Sequence, residues 1–169
     1  MENIVVSSKN NEPEELEVVE IVNALYEKYN IPNFTNTVMV EKGSIPHSHP
    51  ILTLNTRVKD PRLILKTLVH EQLHWHAENH PQYNNCIDYI KTKYIDDGEH
   101  NKLGTNPNSY WEHIIVCFNT RNYLESILSK DDIDWVYLQW QAYPTLEKLI
   151  AKNKDQIKSD LEKFDLIYT

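Results

Sequence analysis

Residues 60–77 contain no glycine and a single proline, and two of their three histidines, His70 and His74, lie four positions apart. Asp60 is a typical helix N-cap, and Pro61 is tolerated at the first helical position. The segment therefore predicts one long helix. On such a helix His70 and His74 are separated by only about 40° around the axis and by about 6 Å along it. Both imidazoles can therefore bind one metal ion from the same face.

Glu71 completes the pattern His-Glu-x-x-His, hereafter HExxH. It lies about 100° around the helix from His70, close enough to reach a water on the metal without binding the metal itself. Zinc lowers the pKa of such a water towards about 7, so Glu71 can take its proton and the hydroxide can attack a peptide carbonyl. The pattern predicts a zinc-dependent peptide hydrolase with one Zn²⁺ per chain, in which Glu71 is the general base.

Composition limits the other possibilities. The chain has 169 residues and a net charge of −8, from 25 acidic and 17 basic side chains. This length predicts a single domain over residues 1–169, with residues 1–11 frayed. The acidic balance argues against nucleic acid or an anionic membrane as the main partner. Three glycines exclude Gly-rich phosphate loops.

The sequence also shows neither a membrane-spanning segment nor a signal peptide. No apolar run approaches the roughly 18 residues of a membrane span, and the N-terminus lacks the order of a signal peptide. Two cysteines are too few for a disulfide scaffold, so a cytoplasmic location is expected. No feature of the sequence indicates an oligomeric state.

The remaining chain predicts further helices around a small sheet. Short β-branched or apolar runs at Thr35–Glu41 and Ile51–Arg57 predict two antiparallel strands. Apolar periodicity and turn residues predict five more helices, over residues 12–29, 82–95, 109–128, 131–141 and 145–166. The expected fold class is α+β: a helix-rich single domain with a small antiparallel or mixed sheet packed on the HExxH helix.

Three segments of the chain resemble the zincin metallopeptidases, in particular minimal gluzincin-like proteins and a group of small zincin-like proteins. The segments are residues 48–57, 70–75 and 113–117. The resemblance implies a zincin-like domain that acts on a peptide or protein substrate. It also implies that the strand Ile51–Arg57 holds an extended substrate by backbone hydrogen bonds. The alternative is a catalytically silent zincin-like domain that binds metal and acts as a protein-interaction module.

The third protein ligand of a zinc site has four candidates in this sequence: His80, Glu112, His113 and Cys117. Cys117 lies four residues after His113 on the same helix face and could bind as a thiolate, but a buried, inert cysteine is the more common case. His80 lies at the metzincin spacing, but Ala77 replaces the glycine of that pattern and no methionine follows Met39. Glu112 and His113 begin a later apolar helix, where the gluzincin plan places the third ligand. His113 shares a face with apolar residues, Glu112 lies on a more mixed face, and the resemblance also places a histidine at 113. We favour His113 and leave the alternatives open.

Tyr143 is the candidate for stabilising the oxyanion of a peptide-bond hydrolysis. It directly precedes Pro144, at the end of the helix predicted from residue 131. Its phenol could donate a hydrogen bond to the developing negative charge.

Overall fold

The computed structural model describes residues 4–95, 108–139 and 142–168, and in this part of the chain three strands and seven helices form an α+β fold. The elements are β1 Val5–Ser8, α1 Pro13–Lys28, β2 Thr37–Val40, β3 Leu52–Leu54, α2 Pro61–Glu78, α3 Tyr83–Lys93, α4 Ser109–Ile127, α5 Lys130–Leu138, α6 Pro144–Lys152 and α7 Lys154–Glu162. No helix among the described residues is long and apolar enough to span a membrane.

The chain divides into two compact units, one ending at Trp75 and the other beginning at His76. The boundary therefore falls within α2. The first unit contains the sheet, α1 and most of α2, whereas the second contains α3 to α7. A single domain over residues 1–169 stays a prediction.

The sheet of the first unit is parallel, so the prediction of an antiparallel or mixed sheet is wrong. The strand order is β1-β2-β3, and both pairs run in the same direction. Helix α1 connects β1 to β2, as a parallel pair requires a long crossover. Residues 41–51 connect β2 to β3 and return the chain to the end of the sheet at which β2 begins, so that β3 can run parallel to β2. An isolated antiparallel bridge joins His47, in the connection before β3, to Thr53 of β3.

Residues 1–11 were expected to be frayed, and this is wrong for Val5–Ser8, which form β1. The strand pairs with β2 from Val5 opposite Thr37 to Ser8 opposite Val40. The buried carboxylate of Glu15 binds the residues that follow β1 and β2: it accepts hydrogen bonds from the amides of Asn10 and Lys42, at 2.8 and 2.9 Å. The Lys42 amide is the main reason that the pKa of Glu15 lies below its usual value.

Helix α4 lies at the centre of the second unit and packs against α3, α5, α6 and α7. Most of its side chains are buried, on every face of the helix. Asn119 is 1 % exposed and ties the C-terminal segment to α4. Its amide donates to the carbonyl of Leu166 at 2.8 Å, and its side-chain oxygen accepts from the amide of Tyr168 at 2.9 Å.

The helix predicted over residues 145–166 is two helices, α6 and α7, with a break at Asn153. The side chain of Asn153 donates to the carbonyl of Leu149 at 2.9 Å, and its backbone leaves the helical region. Asparagine competes for backbone acceptors in this way, which favours helix ends over helix interiors. Helix α5 ends at Leu138, and the predicted end at Gln141 lies outside the described residues.

Asp160 joins α3 to α7 through a buried carboxylate. Its side chain is fully buried and accepts hydrogen bonds from two tyrosines, two lysines and one glutamine. The donors are Tyr89, Tyr94, Lys93, Lys163 and Gln156. Burial alone would raise the pKa of Asp160, but the bonds from the lysines and tyrosines outweigh it and hold the pKa well below the usual range.

We expect Asp160→Asn to lower thermal stability near pH 7 and to change its dependence on pH. A folded-state pKa below the unfolded value stabilises the protein above about pH 4, and this contribution is lost as the pH falls further. The wild type should therefore lose stability more steeply than Asp160→Asn below pH 4. The measurement is the melting temperature of both chains between pH 3 and pH 7. Parallel curves over that range would contradict the role assigned to Asp160.

Candidate metal centre

Helix α2 carries the HExxH pattern, as predicted, and begins at Pro61. Its first turn is stabilised by Asp60, whose carboxylate accepts from the amide of Arg62 at 2.9 Å. The rings of His70 and His74 lie with their centroids 5.0 Å apart, edge to face. Ligand nitrogens of the two rings lie within 4.8 Å of each other. The helix therefore brings both imidazoles within reach of one metal ion.

Glu71 follows His70 directly in the sequence. Its side chain is buried, with 7 % of the residue surface exposed. His74 is equally buried, whereas His70 is half-buried. The half-buried histidine gives the pair an open side, while the general-base candidate is protected from bulk water. A carboxylate in this setting has few water molecules competing for its oxygens.

His113 lies in the first turns of α4, in the second unit, and is 7 % exposed. Its Nδ1 lies 2.7 Å from the carbonyl oxygen of Ser109, one helical turn earlier. Because a carbonyl only accepts hydrogen bonds, Nδ1 must carry the proton, which puts the lone pair of the neutral ring on Nε2. A hydrogen bond of this kind orients metal-binding histidines and sets which nitrogen can bind.

Tyr143 packs against His113 within the second unit. The two rings meet edge to face, with their centroids 4.6 Å apart. Tyr143 is half-buried in the bend directly before α6. The structure thus brings together the histidine and the tyrosine that the sequence analysis singled out from this half of the chain.

Glu112 is buried as deeply as His113, although the residues on its side of the helix are more mixed in character. Helix α4 is enclosed on all sides, and burial therefore does not distinguish the two positions. The Tyr83 hydroxyl donates to a carboxylate oxygen of Glu112 at 3.1 Å. Burial first, and then the adjacent Glu112 charge, raise the pKa of Tyr83, so the phenol stays protonated and remains a donor. A carboxylate oxygen of Glu78 lies within 4.8 Å of one of Glu112.

His80 serves the turn between α2 and α3. Its amide donates to the carbonyl of Ala77 at 3.1 Å, and its Nδ1 accepts from the amide of Gln82 at 3.2 Å. The side chain therefore satisfies a backbone donor at the start of α3. Such a capping role accounts for a histidine at this position without a metal.

The outer edge of β3 is already paired at its centre. The amide and the carbonyl of Thr53 face away from β2 and bond to His47, at 2.8 and 3.1 Å. The adjacent Ser48 carbonyl accepts from the indole of Trp75 at 2.9 Å, and His49 stacks on the same ring at 3.9 Å. A substrate strand could therefore not bond to Thr53 in this arrangement, and a substrate-binding role for the rest of Ile51–Arg57 stays a prediction.

Gln72 is the residue that the sequence analysis missed. It occupies one of the two unspecified positions of HExxH and is fully buried, with hydrogen bonds to α1 and to the segment before β2. The sequence offered one sign of its role: a polar side chain on the face of α2 opposite the two histidines, where an apolar residue would be expected.

No protein-family model, curated protein or solved structure matches this chain.

Proposed function

We propose that this chain is a zinc-dependent metallopeptidase of the zincin class. The observation that carries the proposal is the pair His70 and His74, whose ligand nitrogens lie within 4.8 Å of each other beside the buried Glu71. Imidazole nitrogen is a preferred zinc ligand, and a catalytic zinc site uses three protein ligands and one open position. When bound, zinc supplies a Lewis acid that polarises a carbonyl and lowers the pKa of water.

The third ligand that we propose is His113. Its support is the hydrogen bond from Nδ1 to the Ser109 carbonyl, which presents Nε2 as the ligand nitrogen. By comparison, Glu112 accepts a hydrogen bond from Tyr83, and His80 accepts one from a backbone amide at the start of α3. Each of these alternatives has a structural role that is independent of metal.

The remaining groups supply proton transfer and charge stabilisation. Glu71 accepts the proton of the attacking water and later delivers it to the leaving amine of the cleaved peptide. The phenolic hydroxyl of Tyr143 donates a hydrogen bond to the carbonyl oxygen of the substrate as negative charge develops there. A peptide or an exposed loop of a protein is the substrate class that this chemistry serves.

Metal analysis combined with a cleavage assay tests this proposal. The full chain should contain about one zinc per chain after reconstitution, and it should cleave members of a peptide library. A chelator should abolish cleavage, and added zinc should restore it. A chain that binds no zinc contradicts the proposal, whereas one that binds zinc and cleaves nothing supports the silent protein-interaction module instead.

A further inference from the structure

Gln72 forms four hydrogen bonds with other parts of the first unit, although its side chain is fully buried. Its Oε1 accepts from the amides of Phe34 and Thr35 at 2.8 and 3.0 Å. Its Nε2 donates to the Thr35 carbonyl at 3.0 Å and to the Tyr26 hydroxyl at 3.1 Å. Both acceptor and donor groups of the amide are therefore used.

The partners of Gln72 belong to two separate segments. Tyr26 lies in α1, and Phe34 and Thr35 lie in the segment that leads into β2. Asn36, the next residue of that segment, accepts a hydrogen bond from the amide of Val5 at 2.8 Å. Helix α2 is thus connected through one side chain to α1 and to the start of the sheet.

The position of Gln72 on α2 is opposite the metal-binding pair. At about 100° per residue, His74 lies about 40° from His70 around the axis, and Gln72 lies about 200° from His70. Gln72 is therefore about 180° from the midpoint between the two histidines. Its side chain can therefore fix the position of α2 through the face opposite the two histidines, without contact with a metal or a substrate.

The directions of the four bonds restrict the movement of α2. Apolar contacts change little when a helix turns or slides by a fraction of an ångström, but hydrogen bonds weaken steeply with poor alignment. Any rotation or translation of α2 would strain two accepted and two donated bonds in a site without bulk water. A buried polar group that loses its partners is costly, so the helix is held in one orientation.

We infer that Gln72 is a positioning residue, which fixes the orientation of His70, Glu71 and His74 towards the metal. The inference rests on the proposed function, because it concerns the same metal centre. It predicts that Gln72 affects metal affinity and geometry through α2 and not merely through stability.

The test is a titration of the metal-free full chain with Co²⁺, which reports affinity and, through its visible absorption, ligand geometry. Gln72→Met keeps the volume but removes all four hydrogen bonds, and we expect cobalt affinity to fall by about 10-fold or more. Gln72→Glu keeps the acceptors and loses the donors, so its loss should be smaller. Tyr26→Phe removes one acceptor and should have the smallest effect. These two variants decide the question if Gln72→Met does not fold.

Val18→Ala is the matched control, because Val18 is a fully buried residue of α1 with no part in these bonds. It should lower the melting temperature but leave cobalt affinity and the absorption spectrum unchanged. Gln72 variants with wild-type affinity and spectrum would overturn the inference and leave the proposed function intact. An equal loss of affinity in Val18→Ala would overturn it too. A wild type that binds no cobalt would overturn the inference together with the proposed function.

Discussion

Glu71→Gln is expected to lower peptide cleavage by a factor of roughly 10²–10⁴, which is the usual contribution of a general base. The substituted side chain has nearly the same size and can still accept a hydrogen bond at its oxygen, but it cannot take a proton from water. Because Glu71 is assigned no metal bond, the zinc content should stay at one ion per chain. The measurement is kcat/KM on a cleaved library peptide, together with metal analysis of the same sample.

The control for this substitution is Glu20→Gln, which makes the same change on helix α1. Glu20 is exposed, and it is assigned no role in the reaction. It should retain cleavage close to that of the wild type. Glu71→Asp keeps the carboxylate but withdraws it by one methylene, and its activity should lie between those of the wild type and Glu71→Gln. Undiminished cleavage by Glu71→Gln would show that Glu71 is not the base.

Helix α2 illustrates what the sequence predicts well. Its start depends on Asp60 and Pro61, its length on the absence of breakers, and the spacing of its histidines on helical geometry. All of these are local properties, and the structure confirms them from Pro61 to Glu78. The pairing of His70 with His74 is likewise a consequence of four residues of helix, which is why the sequence alone predicts it.

The sheet illustrates what local patterns do not encode. Short β-branched runs predict strands but carry no information on direction, which here depends on the crossover through α1 and on the long return before β3. Strand β1 has only four residues, and two of them are serines. Its stability comes from hydrogen bonds with β2, residues that lie about 30 positions away in the chain. No window of the sequence contains both partners.

The sequence also could not decide between Glu112 and His113, because the contacts that distinguish them are not visible in the apolar pattern of the helix. A stripe of apolar residues distinguishes two faces of a helix only when one face meets solvent. Helix α4 is enclosed by four other helices, so both residues are buried. The distinguishing features are hydrogen bonds, from Tyr83 to Glu112 and from His113 to the Ser109 carbonyl. Only the second could have been anticipated, since it spans a single helical turn.

His113→Ala is expected to weaken zinc binding by more than 100-fold. Changes to groups that merely orient a ligand cost about 10–100-fold in metal affinity, and loss of the ligand itself should exceed that range. The dissociation constant can be measured by competition with a chromophoric chelator, using the full chain. Melting curves of the metal-free proteins would show that the variant still folds.

Three matched variants make this prediction specific to the imidazole of His113. Glu112→Gln keeps an oxygen that can accept from Tyr83, and His80→Ala removes a cap from the start of α3, so both should bind zinc nearly as well as the wild type. Ser109→Ala removes only the hydroxyl, whose oxygen lies 3.4 Å from Nδ1 of His113, and leaves the carbonyl that sets the tautomer. A larger loss of affinity in Glu112→Gln or His80→Ala than in His113→Ala would assign the third ligand to that residue instead.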